Sequence, residues 1–239
     1  MKIWKKMLVL ILSCAVSFSG IAGTDARAIE GKKIIAIDAG HQSRGNGALE
    51  PIGPGAKVKK PKVAGGATGV ASHVPEYKLT LQIAKKLKKV LEAKGYEVYM
   101  VRTKNDVNIS NKQRAIRANK SGADIYIRIH ADASSSSKVT GASMLYPSKK
   151  NRFVSKLSAP SKKLSKAILT SYCKKTGIKS RGLIVRDDLT GTNWSKIPVT
   201  LIEMGFLSNP AEDKKMQTSA MQKKMVSGIA EGIDAYFGY

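Results

Sequence analysis

The sequence predicts a single α/β domain whose functional site lies at one edge of a sheet. Short apolar runs of strand length alternate with longer segments of helical periodicity, the order expected of strand–helix–strand units. Because side chains at strand carboxyl ends converge on one crevice in an open α/β sheet, residues at those ends are candidates for a shared site. Three runs end on such a residue: 34–41 on His41, 124–130 on His130 and 197–203 on Glu203.

Periodicity and end signals place the helices. The first predicted helix opens at Glu76 and ends near Lys94, since its apolar residues fall on one face and Gly95 follows. A second helix, 111–120, has Ser110 as its N-cap and leads into the strand that ends on His130. The remaining helices are predicted over 151–176, from Asn209–Pro210 onward, and near the end of the chain, where Met225, Ile229, Ile233 and Tyr236 form an apolar stripe.

Six strands alternate with these helices. Their predicted ranges are 33–39, 96–102, 124–130, 140–146, 183–186 and 197–203. Two segments are predicted to be loops. The Gly- and Pro-rich stretch from Gly45 to Gly69 lies between two candidate ligands and is predicted to be one long functional loop. The polar segment 186–194, which contains one aromatic residue, is predicted to line the cleft.

Two imidazoles and a carboxylate are the candidate metal ligands. His41 follows a glycine, which lets an ion approach the backbone closely, and His130 ends an apolar strand. Together with Glu76 they could bind one zinc ion, which leaves Glu203 as a base, and this set outlines a zinc hydrolase. Each ligand has a structural alternative: a surface or strand-end histidine, and a first-turn acid favoured by the helix dipole. His73 is predicted to be an exposed loop residue.

Residues 1–28 have the pattern of a secretory signal peptide. Lysines precede an apolar run from Met7 to Val16, and Ala26-Arg27-Ala28 supplies small residues where a signal peptidase cuts. The mature domain is then 29–239. The apolar stretch is interrupted by serines and falls short of the roughly 20 residues that span a bilayer, which disfavours a membrane anchor. The position of Cys14 leaves lipidation open.

The charge of the mature domain is strongly positive. The whole chain carries +25, of which residues 1–28 contribute +3, so 29–239 retain +22. Lysines distributed in this way attract polyanions, and for an exported protein these are wall polymers or an anionic membrane face. Nucleic acid is disfavoured as a partner, because the aromatic content is 6% and no binding motif is present. Cys173 is the one cysteine outside residues 1–28, so no internal disulfide is predicted.

Four motifs resemble a known family. They are IAIDAGHQ at 35–42, Glu76 followed by YKLTLQIAKKL, IRIHADA at 127–133 and IPVTLIEMGFLSNPAED at 197–213. In this order they resemble the zinc-dependent N-acetylmuramoyl-L-alanine amidases of the Amidase_3 family, and the resemblance covers nearly the whole mature chain. It implies a mixed, mostly parallel sheet of about six strands flanked by helices. It also implies a secreted, wall-associated autolysin that cleaves the amide between N-acetylmuramic acid and L-alanine in peptidoglycan.

The resemblance assigns roles to four residues. It implies that His41, Glu76 and His130 bind Zn²⁺ and that Glu203 is the catalytic carboxylate. Two other functions stay open. The same site could serve a zinc peptidase that cuts within the stem peptide, or the chain could be a non-catalytic module that binds the cell wall through its basic surface.

Three further residues are candidates for roles in or near the site. Arg114 resembles the arginine of the family's helix before the second histidine, and a structural ion pair is an equal alternative. Arg128 stands where the family commonly has a small or hydroxylated residue. Strand alternation places it on the same face as His130, so it is predicted to contact substrate. Asn193, in the segment that lines the cleft, is the second predicted substrate contact.

Overall fold

The computed structural model describes residues 32–239, so the predicted signal peptide lies outside the described residues. The strands are β1 Ile34–Ala39, β2 Asn46–Pro51, β3 Lys59–Val63, β4 Glu97–Met100, β5 Ile125–Asp132, β6 Ala142–Tyr146, β7 Ser180–Val185 and β8 Val199–Phe206. The helices are α1 Glu76–Ala93, α2 Asn111–Lys120, α3 Ser158–Thr176, α4 Thr190–Asn193, α5 Pro210–Gln217 and α6 Ser219–Phe237.

Six of the strands form one mixed sheet in the order β4-β1-β5-β8-β6-β7. All neighbouring pairs are parallel except β6 with β8, which are antiparallel. The predicted fold class, a mixed and mostly parallel sheet flanked by helices, is confirmed. The central strands β1, β5 and β8 are almost entirely buried, as strands covered on both faces must be.

The two faces of the sheet are covered differently. Helices α1, α3 and α6 pack on one face and enclose the larger apolar core, to which the odd-numbered residues of β5 contribute Ile125, Ile127 and Ile129. Helix α2 covers the other face over a smaller cluster that includes Ala115 and Tyr126. Because side chains alternate along a strand, Arg128 and His130 point to this second face.

Helix α2 begins as the sequence predicts. The Ser110 side chain accepts from the backbone N–H of Gln113, and the Gln113 side chain accepts from the backbone N–H of Ser110, which together form a capping box. The predicted C-terminal helix is present as α6, and its apolar stripe is part of the larger core. Within residues 32–239, no helix is long and apolar enough to cross a membrane.

The prediction of one long loop over 45–69 is wrong. The segment forms a β-hairpin, β2 with β3, that pairs with itself and stays outside the main sheet. Helix α3 also begins later than predicted, at Ser158 instead of 151. The reason is local: the Asn151 side chain accepts from the backbone N–H groups of Phe153 and Val154, which holds a turn in place of the first helical turn.

Candidate metal centre

His41 lies just beyond β1 in a backbone conformation that few side chains adopt. Its φ is 58°, in the left-handed region. Two buried arginines hold the carbonyl groups around it. Arg102 donates to Ala39 O at 2.8 Å and Gly40 O at 2.9 Å, and Arg114 donates to Ala39 O and His41 O, both at 2.8 Å. These hydrogen bonds fix the turn that presents the His41 ring.

Glu76 is presented by the first turn of α1. Its Oε1 accepts from Ala131 N at 3.1 Å, and its Oε2 accepts from Ala67 N at 3.0 Å. Burial raises the pKa of Glu76, but its contacts with His130 and His41 outweigh burial and hold that pKa well below its ordinary value. The carboxylate is therefore ionised at neutral pH, as a metal ligand requires.

His130 lies in β5, directly above Gly40. A Cβ atom on Gly40 would lie 2.5 Å from Nε2 and 2.6 Å from Nδ1 of the His130 ring, so only glycine leaves room for the imidazole. Burial lowers the pKa of His130 to about 4, against the opposing effect of Glu76. The ring is therefore neutral at pH 7 and available as a ligand.

The three side chains meet as a compact donor set. His41 Nε2, His130 Nδ1 and Glu76 Oε1 are each 3.1 Å from the other two. A tetrahedral zinc ion with bonds of about 2.0–2.1 Å holds its ligand atoms about 3.3 Å apart, so the set fits such an ion. His41 Nδ1 lies 2.9 Å from Ala64 O, and a hydrogen bond there leaves Nε2 free to bind. Two imidazoles with one carboxylate are donors that suit zinc.

Glu203 lies beside this donor set. It stands opposite His130 in the pairing of β8 with β5. Its Oε2 is buried and has no hydrogen-bond partner in the part of the chain that the structure describes. Burial, followed by the negative charges of Glu76 and Asp132, raises the pKa of Glu203 well above its ordinary value. A buried carboxyl with a raised pKa and an open oxygen is equipped to accept and return a proton.

A buried ionic network lies beneath the donor set. The single carboxylate of Asp38 accepts from Arg114 Nη1 at 2.7 Å, from Arg128 Nε at 3.1 Å and from Tyr126 OH at 3.1 Å. Of the two alternatives for Arg114, the structure shows the ion pair. Asp38 was missed as a site residue, because in the sequence it is only one more residue of an apolar strand.

One cavity of about 350 Å³ joins the donor set to the rest of the cleft. Arg128 reaches it with a guanidinium that Asp38 and Asn111 hold in place, the latter accepting from Nη2 at 2.8 Å. Its walls come from the β2–β3 hairpin and from the segment between β7 and α4. The lining residues include His41, His130, Glu203, Arg128, Leu145, Leu201, Lys60, Arg186 and Asp188.

Asn193 does not line this cavity. Its side chain is buried, accepts from Asn151 Nδ2 at 2.9 Å and donates to Asp187 O at 2.9 Å. It holds the segment 187–193 together from inside, because both ends of its amide already have protein partners. The predicted segment 186–194 does line the cleft, through Arg186, Asp188, Leu189 and Thr190. His73 is an exposed loop residue, as the sequence predicts.

The fold and the site define a class of protein: a single α/β domain with a His-His-Glu donor set and a second glutamate at one edge of a mixed sheet. A family model described as N-acetylmuramoyl-L-alanine amidase, Amidase_3, matches residues 35–235. The chain therefore belongs to the Amidase_3 family.

Relatives of similar sequence are named as amidases. The chain is 29% identical over 204 residues to N-acetylmuramoyl-L-alanine amidase AmiC of Escherichia coli O6:H1, a match that covers 68% of this chain and 47% of AmiC. It is 30% identical over 201 residues to the probable cell wall amidase LytH of Staphylococcus saprophyticus, covering 82% of this chain and 63% of LytH. The chain thus spans between about half and two thirds of the length of these two relatives.

Solved structures share the fold. The N-acetylmuramyl-L-alanine amidase Ami1 of Mycobacterium smegmatis matches with a TM-score of 0.79 at 25% identity, over 88% of this chain and 99% of that one. An N-acetylmuramoyl-L-alanine amidase of Clostridium difficile 630 matches with a TM-score of 0.70 at 29% identity, over 87% of this chain and 98% of that one.

Proposed function

We propose that this protein is a zinc-dependent peptidoglycan hydrolase that cleaves the amide between N-acetylmuramic acid and the L-alanine of the stem peptide. The observation that carries the proposal is the donor set of His41, Glu76 and His130, with mutual distances of 3.1 Å. Its two histidines line one cavity together with Glu203. Membership of the amidase family supplies the substrate class.

His41, Glu76 and His130 would hold the zinc ion, and the ion would supply Lewis acidity and an attacking water activated at neutral pH. Backbone groups of the chain orient two of these ligands. The Ala64 carbonyl fixes the His41 ring, and the backbone N–H groups of Ala67 and Ala131 fix the Glu76 carboxylate.

Glu203 is proposed to transfer a proton from the attacking water to the leaving nitrogen. Its Oε2 accepts a proton from the attacking water, and the protonated carboxyl then gives that proton to the nitrogen of the departing L-alanine. The proton leaves a water oxygen and ends on an amine, so the lactyl carboxylate and a free peptide amino terminus are the products. The raised pKa of Glu203 suits both transfers, because burial makes this carboxyl hold a proton more readily than an exposed one does.

Arg128 is proposed to orient the substrate. Its guanidinium lines the cavity on the same sheet face as His130, and Asp38 and Asn111 lock its orientation. A planar cation with fixed orientation can donate two parallel hydrogen bonds to a carbonyl or carboxylate of the bound substrate.

We also propose that residues 1–28 direct export and that the protein acts at the cell wall. The basic composition of the domain, +22 over residues 29–239 of a chain that carries +25, would favour contact with anionic wall polymers.

The test is digestion of purified peptidoglycan by residues 29–239, with chelator and then with zinc restored. New L-alanine amino termini and new reducing ends are followed together. We expect zinc-dependent amino termini and no reducing ends. Amino termini from residues within the stem peptide would indicate the peptidase instead. Wall binding without zinc and without cleavage would indicate a non-catalytic module.

A further inference from the structure

The cavity continues from Glu203 along the sheet, away from the donor set. Leu201 lies two residues before Glu203 on β8 and therefore on the same face, about 7 Å away along the strand. Leu145 of β6 stands opposite Leu201 in the antiparallel pair. These two leucines give the cavity an apolar floor beyond the reacting group.

Past this floor, three charged residues meet across the cavity, and we call them the charged end. Arg186 donates from Nε and Nη2 to the two carboxylate oxygens of Asp188, at 2.7 and 3.0 Å. Lys60, from β3, donates to the Asp188 carboxylate at 2.6 Å and to the Asp188 backbone carbonyl at 2.9 Å. The contact joins the hairpin to the segment after β7.

The charged end has one more positive charge than negative charge. A single carboxylate serves both Arg186 and Lys60, and all three side chains are between 41% and 45% exposed. Arg186 Nη1 makes no hydrogen bond within residues 32–239. Arg128, the third cation of the cavity, shares its partner Asp38 with Arg114, so that carboxylate has no spare charge to offer. The cavity therefore favours an anion at this end.

We infer that Arg186, oriented by Asp188 and assisted by Lys60, binds a free carboxylate on the second residue of the stem peptide. The inference rests on the proposed function, which places the scissile amide at Glu203. Successive Cα atoms are 3.8 Å apart, so a carboxylate on the second residue lies about 6 to 7 Å from the scissile nitrogen. That reach is about equal to the 7 Å from Glu203 to Leu201 along β8, so it brings the carboxylate over the apolar floor of the cavity that Arg186 also lines. The floor accommodates the methyl group of L-alanine.

Rigid presentation makes Arg186 suitable for this task. Asp188 already holds one edge of the Arg186 guanidinium. Little side-chain freedom is therefore lost when the remaining N–H groups donate to a carboxylate of the substrate. The inference also predicts discrimination: an amide in place of that carboxylate keeps the shape of the substrate but loses the charge-assisted hydrogen bond.

The test compares two small substrates that differ in this group alone. They are N-acetylmuramoyl-L-alanyl-D-glutamate and the same compound with the α-carboxyl of D-glutamate amidated. We expect wild type to cleave the acid with kcat/KM about tenfold above the amide, the size expected of a charge-assisted hydrogen bond at a half-exposed site. In Arg186→Gln the value for the acid should fall about tenfold, while that for the amide stays within about twofold.

Arg181→Gln is the matched control. It removes the same charge five residues earlier in the chain, on β7, but Arg181 is exposed and lies outside the cavity. Both substrates should be cleaved by this variant as by wild type. If the loss of a surface charge were enough, kcat/KM for the acid would fall equally in both variants. A fall in Arg186→Gln alone is therefore due to the position of Arg186.

The outcomes separate the inference from the proposed function. If wild type cleaves both substrates equally, or if Arg186→Gln lowers both equally, the inference is overturned and the amidase assignment stands. If wild type cleaves neither, the binding of both compounds to zinc-loaded Glu203→Gln is measured by calorimetry. Tighter binding of the acid that is lost on adding Arg186→Gln supports the inference, and equal binding overturns it.

Discussion

Gly40 leaves the space that the His130 ring occupies. Gly40→Ala would place a methyl group 2.5 Å from His130 Nε2, so the ring must move away from His41 and Glu76. We expect the variant to fold but to bind zinc at least tenfold more weakly, the scale on which supporting residues of metal sites act. Metal content after dialysis against a zinc buffer measures this.

The control is Gly47→Ala, on the exposed strand β2, where an added Cβ meets nothing within 4 Å. It should bind zinc as wild type does. Equal zinc affinity in both variants would contradict the close packing of Gly40 against His130.

Glu203 is expected to transfer protons without binding the metal. Glu203→Gln keeps the size of the side chain but cannot accept a proton, so kcat should fall by about 10² to 10⁴. Zinc content should remain at one ion per chain, because the donor set does not include this residue. Amino-terminal release from peptidoglycan and metal analysis of the same sample measure both quantities.

His41→Ala is the contrasting variant, since it removes a member of the donor set and should lose zinc and activity together. A Glu203→Gln protein with wild-type turnover would refute the proposed role of the glutamate.

At the scale of elements, Asp38 joins β1, β5 and α2 through one carboxylate. Burial raises its pKa, but Arg114 and Arg128 outweigh burial and bring the pKa to about 2. In the unfolded chain the pKa of this aspartate is about 3.9. Ionised Asp38 therefore stabilises the folded state fully above that pH, and this stabilisation is lost as the pH falls from about 4 towards 2. The lost contribution amounts to about 2 to 3 kcal/mol.

Urea unfolding of metal-free wild type and Asp38→Asn between pH 7 and pH 3 tests this. At pH 7 the variant should be less stable by about 3 to 5 kcal/mol, because two buried guanidinium groups lose their counter-ion. The difference should shrink towards pH 3. A difference that does not change with pH would contradict the role assigned to Asp38.

Helix α5 supports α1 through a second buried carboxylate. Asp213 accepts from the backbone N–H groups of Ala71 and Ser72, at 2.8 and 2.7 Å, and from Ser72 Oγ at 2.6 Å. This holds the loop that leads into Glu76. Asp213→Asn removes the negative charge to which these three groups donate and leaves one accepting oxygen in place of two, so we expect a loss of about 1 to 3 kcal/mol in unfolding free energy and weaker zinc binding.

Asp234→Asn is the control for this element. Asp234 accepts from Lys94 and Tyr96 just beyond the other end of α1, a helix of 18 residues and therefore about 27 Å long. The variant should lose stability but keep the zinc affinity of wild type. Calorimetric zinc titration distinguishes the two, and unchanged affinity in Asp213→Asn would contradict the support of Glu76 by α5.

At the scale of the whole molecule, the donor set connects three separate parts of the chain. His41 follows β1, Glu76 opens α1 and His130 belongs to β5, so an ion that binds all three stabilises the folded state alone. At a free zinc concentration 100 times the Kd, the gain is about 2.7 kcal/mol. We expect chelator to lower Tm and zinc to restore it, as measured by differential scanning calorimetry.

His41→Ala should show no zinc-dependent change in Tm. A zinc-dependent shift of wild-type size in that variant would mean that the stabilising ion binds elsewhere.

The sequence predicted the main elements because their signals are local. Alternating apolar runs, the Ser110 capping box and the residues at strand ends are each visible within about ten residues. The hairpin was missed for the opposite reason: β2 and β3 contain Gly47, Pro51, Pro61 and several lysines, which have low strand propensity. These strands pair with each other, and side-chain hydrogen bonds tie them to Asn108 and to the first turn of α2. No local sequence pattern indicates these contacts.

The sequence alone determined the order of the six strands of the main sheet and of the longer helices, and it predicted that His41, Glu76, His130 and Glu203 belong to one site. It could do so because chain direction and strand alternation fix which edge and which face a residue occupies. Only the tertiary structure decided what surrounds them: the space above Gly40, the sharing of Asp38 by two arginines, and the meeting of Lys60, Asp188 and Arg186 across the cavity. Apart from the local pair Arg186–Asp188, those contacts join residues between 76 and 128 positions apart, so they depend on how the elements pack and leave no mark on any single stretch of sequence.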